Sequence, residues 1–244
     1  MRLDSFHYFT PDHPLEHLRP ILTRNRFDGS IAVSRVSEDP REFLAQISRH
    51  DFVKAAVVAA DPDDPHLGLL LDECAQVPKF RGLFWQATDS FPRSLAELDR
   101  RGLPLDLQIT PERLSLAVKI ASRFPNLPIA VVHLGSPDID AAFDDWARGI
   151  EALAQFPQVD VKASDLIHLA PRNWKNANLR PHMQHVLACF SPARVMFGSG
   201  WPSGLPAHIW KESLAAFTQA IGAQSMETRE QLLGESARRF YRLL

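Results

Sequence analysis

Two side chains on predicted strands have the types that acid–base chemistry and ligand binding require. His133 follows Ile129–Val132, and an imidazole changes its charge near neutral pH, so it can act as a general base or acid. A buried imidazole can equally be a hydrogen-bonded core residue. Tyr8 carries a phenol that could orient a ligand or only fill space. The sequence predicts catalysis by His133 and substrate binding by Tyr8, with both alternatives open.

Lys162 is a charged residue inside a short β-rich run, Val159–Ser164. A desolvated amine can bind a carboxylate or act as a base, and we predict a substrate-binding role. The ammonium could instead neutralise Asp4 or Asp106 in the interior, since buried charges are normally paired. Ser199 is also predicted to bind substrate, but no His–Asp relay is recognisable beside it, which argues against a serine nucleophile.

Four more side chains near the ends of strand-like runs are predicted to bind a substrate: Arg35, Trp85, Gln108 and Trp201. Arg35 could hold a carboxylate, and Gln108 supplies hydrogen-bonding groups. Trp85 and Trp201 would form an aromatic wall if both point inward. Packing beneath loops is the alternative, because tryptophan is commonly buried for its area alone.

The elements that must position these side chains are short β-rich runs that alternate with longer helical patterns, the order expected of βα units around a parallel sheet. Eight strands are predicted, at Leu3–Phe9, Gly29–Arg35, Val53–Ala60, Arg81–Gln86, Leu105–Ile109, Ile129–Leu134, Val159–Ser164 and Val195–Ser199. Helices are predicted at Pro14–Arg24, Pro40–Arg49, Pro65–Gln76, Arg93–Arg101, Pro111–Arg123, Ile139–Gln155, Asn178–Cys189, Ala207–Ile221 and Glu227–Leu244. Asp165–Asn176 is predicted to be an irregular lid.

The predicted strands are apolar on both faces, as in Ala55–Val58 and Ile129–Val132. Parallel strands have this pattern when helices cover one face and a core covers the other, so the sheet is predicted to be buried. A doubly wound open sheet would show a similar alternation of elements. No glycine-rich phosphate loop follows the first strand, which argues against nucleotide binding on an open sheet.

Composition restricts the class of partner. A length of 244 residues suits one barrel, predicted as a single domain over residues 1–244. The net charge of -2, from 27 basic and 29 acidic residues that are interspersed, gives no basic stripe, so we expect neither nucleic acid nor membrane partners. Cys74 and Cys189 suggest no disulfide, and Met1–Phe9 does not resemble a signal peptide. We expect a cytoplasmic protein.

The run Arg194–Pro202 resembles the eighth-strand motif of the amidohydrolase family that includes sugar-acid and pyrone dicarboxylate lactonases. Four further runs are similar to that family's sixth, fifth and seventh strands and to the entry of its fourth: Phe124–Gly135, Leu105–Gln108, Asp160–Leu166 and Pro78–Gly82. The resemblance covers nearly the whole chain. It implies an α/β fold, a single parallel (β/α)8 TIM barrel with an extra C-terminal helix, and a ligand site at the C-terminal mouth of the barrel.

The departures from the family pattern concern the reacting groups. The family's two first-strand histidines correspond to Phe6 and Tyr8, and its fourth-strand histidine corresponds to Trp85. The resemblance implies that the family's eighth-strand aspartate is the base that activates water, and this position corresponds to Gly200. Of the reacting set only His133 remains in register. We therefore expect no metal ion and no cofactor.

Two functions follow from the resemblance and its departures. The first is a metal-independent hydrolase of the lactonase type, acting on a small cyclic ester of a carboxylated or hydroxylated acid. The candidates by role are His133 or Asp165 for water activation, Tyr8 or Lys162 for polarisation of the carbonyl, and Arg35 or Arg172 for a carboxylate. The alternative is an inactive family member that binds a small ligand or a protein partner, since losses of cooperating catalytic groups leave little beyond binding.

Overall fold

A single eight-stranded parallel sheet runs through the computed structural model, which describes residues 1–92, 94–141, 143–170, 179–202 and 209–244. Each strand pairs in parallel with the next one along the chain, in the order β1 to β8. The strands are β1 Leu3–His7, β2 Gly29–Val33, β3 Val53–Ala59, β4 Phe80–Gln86, β5 Leu105–Gln108, β6 Ile129–Val131, β7 Val159–Ser164 and β8 Val195–Gly198.

Helices follow the strands and cover the outer face of the sheet. They are α1 Leu15–Arg24, α2 Pro40–Ser48, α3 Leu67–Cys74, α4 Leu95–Arg101, α5 Leu114–Arg123, α6 Phe143–Ala154, α7 Leu166–Leu169, α8 Arg180–Phe190, α9 Ile209–Ile221, α10 Met226–Glu230 and α11 Ser236–Phe240. Three predicted helices begin at Arg93, Asn178 and Ala207, outside the described residues, and their described parts form α4, α8 and α9. Within the described ranges, no helix has the length and apolarity that crossing a membrane requires.

The sheet closes on itself between its first and last strands. Gly200 N donates to Phe6 O at 2.8 Å, and Tyr8 N donates to Trp201 O at 2.7 Å, so the segment after β8 continues the parallel ladder onto β1. A closed sheet of eight parallel strands is the barrel expected for eight βα units. The closure therefore confirms the predicted (β/α)8 barrel and excludes the open sheet.

Two apolar clusters fill the fold. The larger lies between the outward-facing strand residues and the helices, and it includes Leu83, Trp85 and Leu107. The smaller lies inside the barrel around Phe6 and Phe84. Side chains alternate between the two faces along each strand, so neighbouring residues such as Phe84 and Trp85 belong to different layers.

The C-terminal segment closes the barrel at the end where the strands begin. Phe240 and Tyr241 belong to the inner cluster together with Leu3 at the start of β1. The predicted continuous helix Glu227–Leu244 is interrupted between α10 and α11 by a π-helical turn, Gln231–Glu235. Gly234 lies in this turn because a Cβ there would meet the backbone oxygen of Met1 at 2.0 Å.

Two predicted boundaries are wrong in ways that affect the site. The sixth strand was expected to continue to Leu134, but it ends at Val131, and Val132–Gly135 forms a tight turn. His133 has φ +54° and Leu134 has φ +56°, conformations that cannot continue a strand. The predicted irregular lid begins instead with the short helix α7, while residues 171–176 of that lid lie outside the described ranges.

Candidate functional site

A cavity of about 360 Å³ lies at the C-terminal mouth of the barrel. Tyr8 follows β1, Arg35 follows β2, and Gln108 is the last residue of β5, so all three stand at the carboxyl ends of strands. Gln86, at the end of β4, and Pro202 complete the polar and apolar walls. The structure thus brings Tyr8, Arg35 and Gln108 together, three of the residues for which the sequence predicts substrate binding, on the face where barrel enzymes bind ligands.

Two aromatic side chains, Tyr8 and Phe84, line this cavity, and the buried Phe6 packs against both. The Phe6 ring lies edge-on to Tyr8 with a centroid distance of 5.1 Å, and Phe84 lies 6.0 Å from Phe6. Burial, and next the negative charge of Asp165, raises the pKa of Tyr8 well above its ordinary value. The phenol is therefore protonated at neutral pH and can donate a hydrogen bond to a ligand oxygen.

Arg35 is the cation among the described residues that line the cavity. Its side chain is exposed at the rim, and its backbone N–H donates to Glu38 Oε2 at 3.2 Å. A larger cavity of about 610 Å³ lies beside the mouth, between the loop after β1 and helices α1 and α2, and Arg35 lines both. We assign the site to the smaller cavity, because only that one is surrounded by the strand ends.

His133 lies at the same end of the barrel, beneath the cavity lining. Its ring packs edge-on to Phe6 at a centroid distance of 4.8 Å, and the residue is 7% exposed. Nδ1 lies 3.0 Å from Ser164 Oγ and 3.3 Å from the Ser164 carbonyl oxygen. Burial lowers the pKa of His133, so the imidazole is neutral at physiological pH and can accept or relay a proton.

Asp165 approaches the mouth from the end of β7. The residue has φ +54°, and its Oδ1 lies 2.9 Å from Nδ1 of His168 on α7. A Cβ built on Gly200 would lie 2.5 Å from Asp165 Oδ1 and 2.8 Å from its Cγ. The carboxylate therefore fills the space where a side chain at position 200 would begin.

Lys162 lies inside the barrel below the site and does not line the cavity. Its ammonium donates to Asp106 Oδ2 at 2.5 Å and to the Ser5 carbonyl at 2.8 Å, and both charged side chains are fully buried. Tyr241 donates to the other oxygen of Asp106. Burial lowers the pKa of Lys162, and the Asp106 carboxylate opposes this effect. The structure shows the pairing with Asp106 that the sequence left as an alternative. It does not place Lys162 at the cavity where a substrate would bind.

Ser199 is likewise enclosed by protein groups. Its hydroxyl donates to Asp4 Oδ2 at 2.6 Å and accepts from Trp201 N at 3.1 Å. Asp4 also accepts from Trp210 Nε1 at 2.7 Å, so the hydrogen bonds of this carboxylate join β1 to the segment after β8 and to α9. The network holds the segment after β8 in place, and the predicted substrate contact of Ser199 has no support in the geometry.

The two predicted tryptophans lie in the packed layer that was the alternative. Trp85 is 4% exposed and belongs to the outer cluster, while its neighbour Phe84 lines the cavity. Trp201 is fully buried in the same outer cluster, with its ring 6.0 Å from His13, and its neighbour Pro202 lines the cavity. The expected wall of two indoles is therefore replaced by Phe84 and Pro202.

Sequence reasoning missed Gln86 as a lining residue. The alternation of side chains along β4 contained the signal, because Gln86 is two positions after Phe84 and so points to the same face. Arg172, the second candidate for a carboxylate, lies outside the described residues.

The strand order and the cavity define the class of protein: a (β/α)8 barrel with a cavity at the carboxyl ends of its strands. The sequence model of the amidohydrolase family matches residues 95–243, which is more than half of the chain. The chain belongs to the amidohydrolase family.

Relatives share both sequence and fold with this chain. An L-fucono-1,5-lactonase from Burkholderia ambifaria is 26% identical, over 93% of this chain and 84% of that protein. The solved structure of an amidohydrolase from Burkholderia multivorans with bound zinc has a TM-score of 0.84 at 23% identity and covers 100% of both chains. Amidohydrolase 2 from Bifidobacterium longum subsp. infantis has a TM-score of 0.73 at 16% identity, over 100% of this chain and 99% of that one.

The described side chains at this end of the barrel do not form a group that fits a metal ion. The first strand presents Phe6 and Tyr8 to the interior, and the Phe6 ring packs against His133. Among the residues that the structure describes, no three His, Cys, Asp or Glu side chains are placed to hold a metal. A carbon ring where an imidazole would be required removes a ligand that zinc needs.

Proposed function

We propose that this chain is a metal-independent hydrolase of the lactonase type, which opens a small cyclic ester of a carboxylated or hydroxylated acid. The observation that carries the proposal is the joint placement of Arg35, Tyr8 and Gln108 around one cavity at the mouth of the barrel. The lactonase relatives support the reaction class.

The cavity lining suits such a substrate. A volume of about 360 Å³ lies within the range of sites for small molecules. The Arg35 guanidinium can bind a carboxylate through two parallel hydrogen bonds. The amides of Gln86 and Gln108 can bind ring and hydroxyl oxygens, while Phe84 contacts the apolar face of the ring. We therefore expect a carboxylated or hydroxylated ring to bind better than an apolar one.

The chemistry needs a donor for the carbonyl oxygen and a base for water. Tyr8, protonated at neutral pH, can donate to the carbonyl oxygen and to the oxyanion that replaces it. His133 and Asp165 are the two candidate bases near this end of the barrel. Neither role requires a metal ion.

A panel of sugar-acid and dicarboxylate lactones tests the proposal, with proton release measured in the presence of a chelator. We expect saturable hydrolysis of at least one carboxylated or hydroxylated lactone. Arg35→Ala should raise KM for a carboxylated member about tenfold or more, since a charge-assisted hydrogen bond contributes about 1.5–3 kcal/mol. Arg49→Ala changes an exposed arginine of the neighbouring cavity and is the matched control. Absence of hydrolysis across the panel contradicts the proposal.

A second function has its own supporting observation. Phe6 packs edge-on against His133, and Gly200 provides no side chain at the mouth, so groups that act together in relatives are missing. A barrel that binds a small acid or lactone without turnover fits these losses. Thermal stabilisation by a lactone that is recovered unchanged would favour this function over hydrolysis.

A further inference from the structure

Asp165 lies against Gly200, so a carboxylate stands close to the position of the family's eighth-strand aspartate. This carboxylate follows β7 and not β8. We infer that Asp165 is the base that activates water in this protein, and that Gly200 is required because only a residue without a side chain leaves room for the Asp165 carboxylate. The inference rests on the proposed function and assigns its central catalytic group.

The space at position 200 carries the first part of the argument. Gly200 has φ +71°, and a Cβ there would lie within 2.8 Å of three Asp165 atoms, Oδ1, Cβ and Cγ. Real Cβ atoms do not approach other atoms so closely, and the neighbouring atoms belong to a short side chain whose own backbone has φ +54°. Any side chain at position 200 would therefore displace the carboxylate.

The surroundings of Asp165 carry the second part. His168 Nδ1 lies 2.9 Å from Asp165 Oδ1, and this hydrogen bond raises the pKa of His168. His168 is therefore a positioning residue, because its hydrogen bond fixes the orientation of the Asp165 carboxylate. The charge of Asp165 also raises the pKa of Tyr8, so the carboxylate and the phenol that would bind the carbonyl act on the same region.

The placement favours Asp165 over His133 as the base. Ser164 takes up Nδ1 of His133, and the Phe6 ring covers one side of the imidazole. Neither His133 nor Asp165 lines the cavity directly, but Asp165 is half-buried, with 15% of its side chain exposed, whereas His133 is buried. Asp165 also lies against Gly200, two residues before Pro202, which lines the cavity. A base must reach the attacking water, so the more exposed carboxylate is the better placed of the two.

The step balances without a cofactor. Asp165 takes one proton from water, and the oxygen of that water forms a bond to the lactone carbonyl carbon while the carbonyl π electrons move to its oxygen, near Tyr8. The tetrahedral intermediate then reforms the C=O bond and breaks the ring C–O bond. Asp165 returns its proton to the ring oxygen that leaves, which gives a hydroxy acid whose carboxyl proton passes to solvent.

Asp165→Asn is the direct test, on a lactone that the wild-type protein hydrolyses. We expect kcat to fall about 10²–10⁴-fold with KM nearly unchanged, because the amide keeps the volume but cannot take a proton. His133→Asn, whose amide can still bond to Ser164, should retain more activity than Asp165→Asn. Turnover that survives Asp165→Asn but is lost in His133→Asn overturns the inference.

Gly200→Ala tests the spatial part and leaves Asp165 in the chain. Gly222 has φ +69°, and a Cβ there would meet nothing closer than 3.6 Å, so Gly222→Ala has the same backbone strain without touching a carboxylate. We expect kcat to fall at least tenfold in Gly200→Ala and to stay near wild type in Gly222→Ala, with folding of both checked by circular dichroism. Equal kcat values in the two variants overturn the inference.

The two proposals fail in different ways. A wild-type protein that hydrolyses no lactone contradicts the proposed function and the role of Asp165 together. Wild-type turnover that Asp165→Asn retains contradicts the assignment of Asp165 alone.

Discussion

Lys162 Nζ lies 2.5 Å from Asp106 Oδ2 inside the barrel, and both side chains are fully buried. The rings of Phe6 and Tyr241 lie 5.1 and 5.0 Å from the ammonium, and Tyr241 donates to the second carboxylate oxygen. The pair thus links Phe6, in the interior near the mouth, to the C-terminal segment that closes the other end of the barrel. Its charges satisfy each other in the interior, and neither side chain lines the cavity.

Removal of one partner of this pair should destabilise the fold strongly. Lys162→Met leaves Asp106 buried with the Tyr241 hydroxyl as its remaining side-chain partner, and such a loss costs about 3–5 kcal/mol of unfolding free energy. Chemical denaturation measures the effect. Lys119→Met, at an exposed position of α5, is the control and should change stability by less than about 0.5 kcal/mol. Similar losses in the two variants would argue against the buried pair.

Neighbouring residues on β4 should separate stability from binding. Trp85 packs in the outer layer, so Trp85→Ala should cost about 3–5 kcal/mol of stability without changing KM for a hydrolysed lactone. Gln86→Ala should instead raise KM by about threefold to tenfold with little loss of stability, since one hydrogen bond contributes about 1 kcal/mol. A raised KM in folded Trp85→Ala would place the indole at the substrate after all.

The purified protein should contain no stoichiometric zinc or manganese. The reason is that Phe6, Tyr8, Trp85 and Gly200 stand at the positions where the family's ligands are expected. Elemental analysis after dialysis is the measurement, and turnover should be unchanged by a chelator. About one equivalent of zinc that survives dialysis would contradict metal independence.

Acid should destabilise the protein through His7. Nδ1 of His7 donates to the Tyr8 carbonyl at 2.9 Å, and Nε2 lies 3.0 Å from Ser30 Oγ. Burial lowers the pKa of His7 below its ordinary value of 6.5, so the folded state binds fewer protons than the unfolded state as the pH falls below that value. This group therefore contributes stability that is present above about pH 6.5 and is lost towards acid, by at most about 1.4 kcal/mol per pH unit.

The measurement is the unfolding free energy of wild type and His7→Asn between pH 5 and pH 7, a window of about two units around the histidine pKa. The Asn amide can keep the bond to the Tyr8 carbonyl but does not titrate, so we expect a shallower slope. Burial raises the pKa of Asp160 to about 6, which opposes the trend but does so equally in both proteins. His17→Asn, on the exposed face of α1, is the control substitution.

Local sequence patterns determined the architecture of this protein. Runs such as Ala55–Val58, apolar on both faces and separated by helical patterns, predicted a covered parallel sheet, and the structure has eight parallel strands in chain order. The predicted strands also contained Tyr8, Arg35 and Gln108 near their ends, and these three residues line the cavity. These features depend only on the residue types within one element and on their spacing, and both can be read from the sequence.

The tertiary structure alone decided which of two adjacent side chains faces the cavity and which charges are paired. Phe84 and Trp85 differ by one position, and a shift of one residue exchanges the two faces of a strand, so only the observed register assigns Phe84 to the mouth. The partner of Lys162 and the approach of Asp165 to Gly200 join residues of different strands. Closure of the barrel brings such residues together, and no pattern within a single element records that contact.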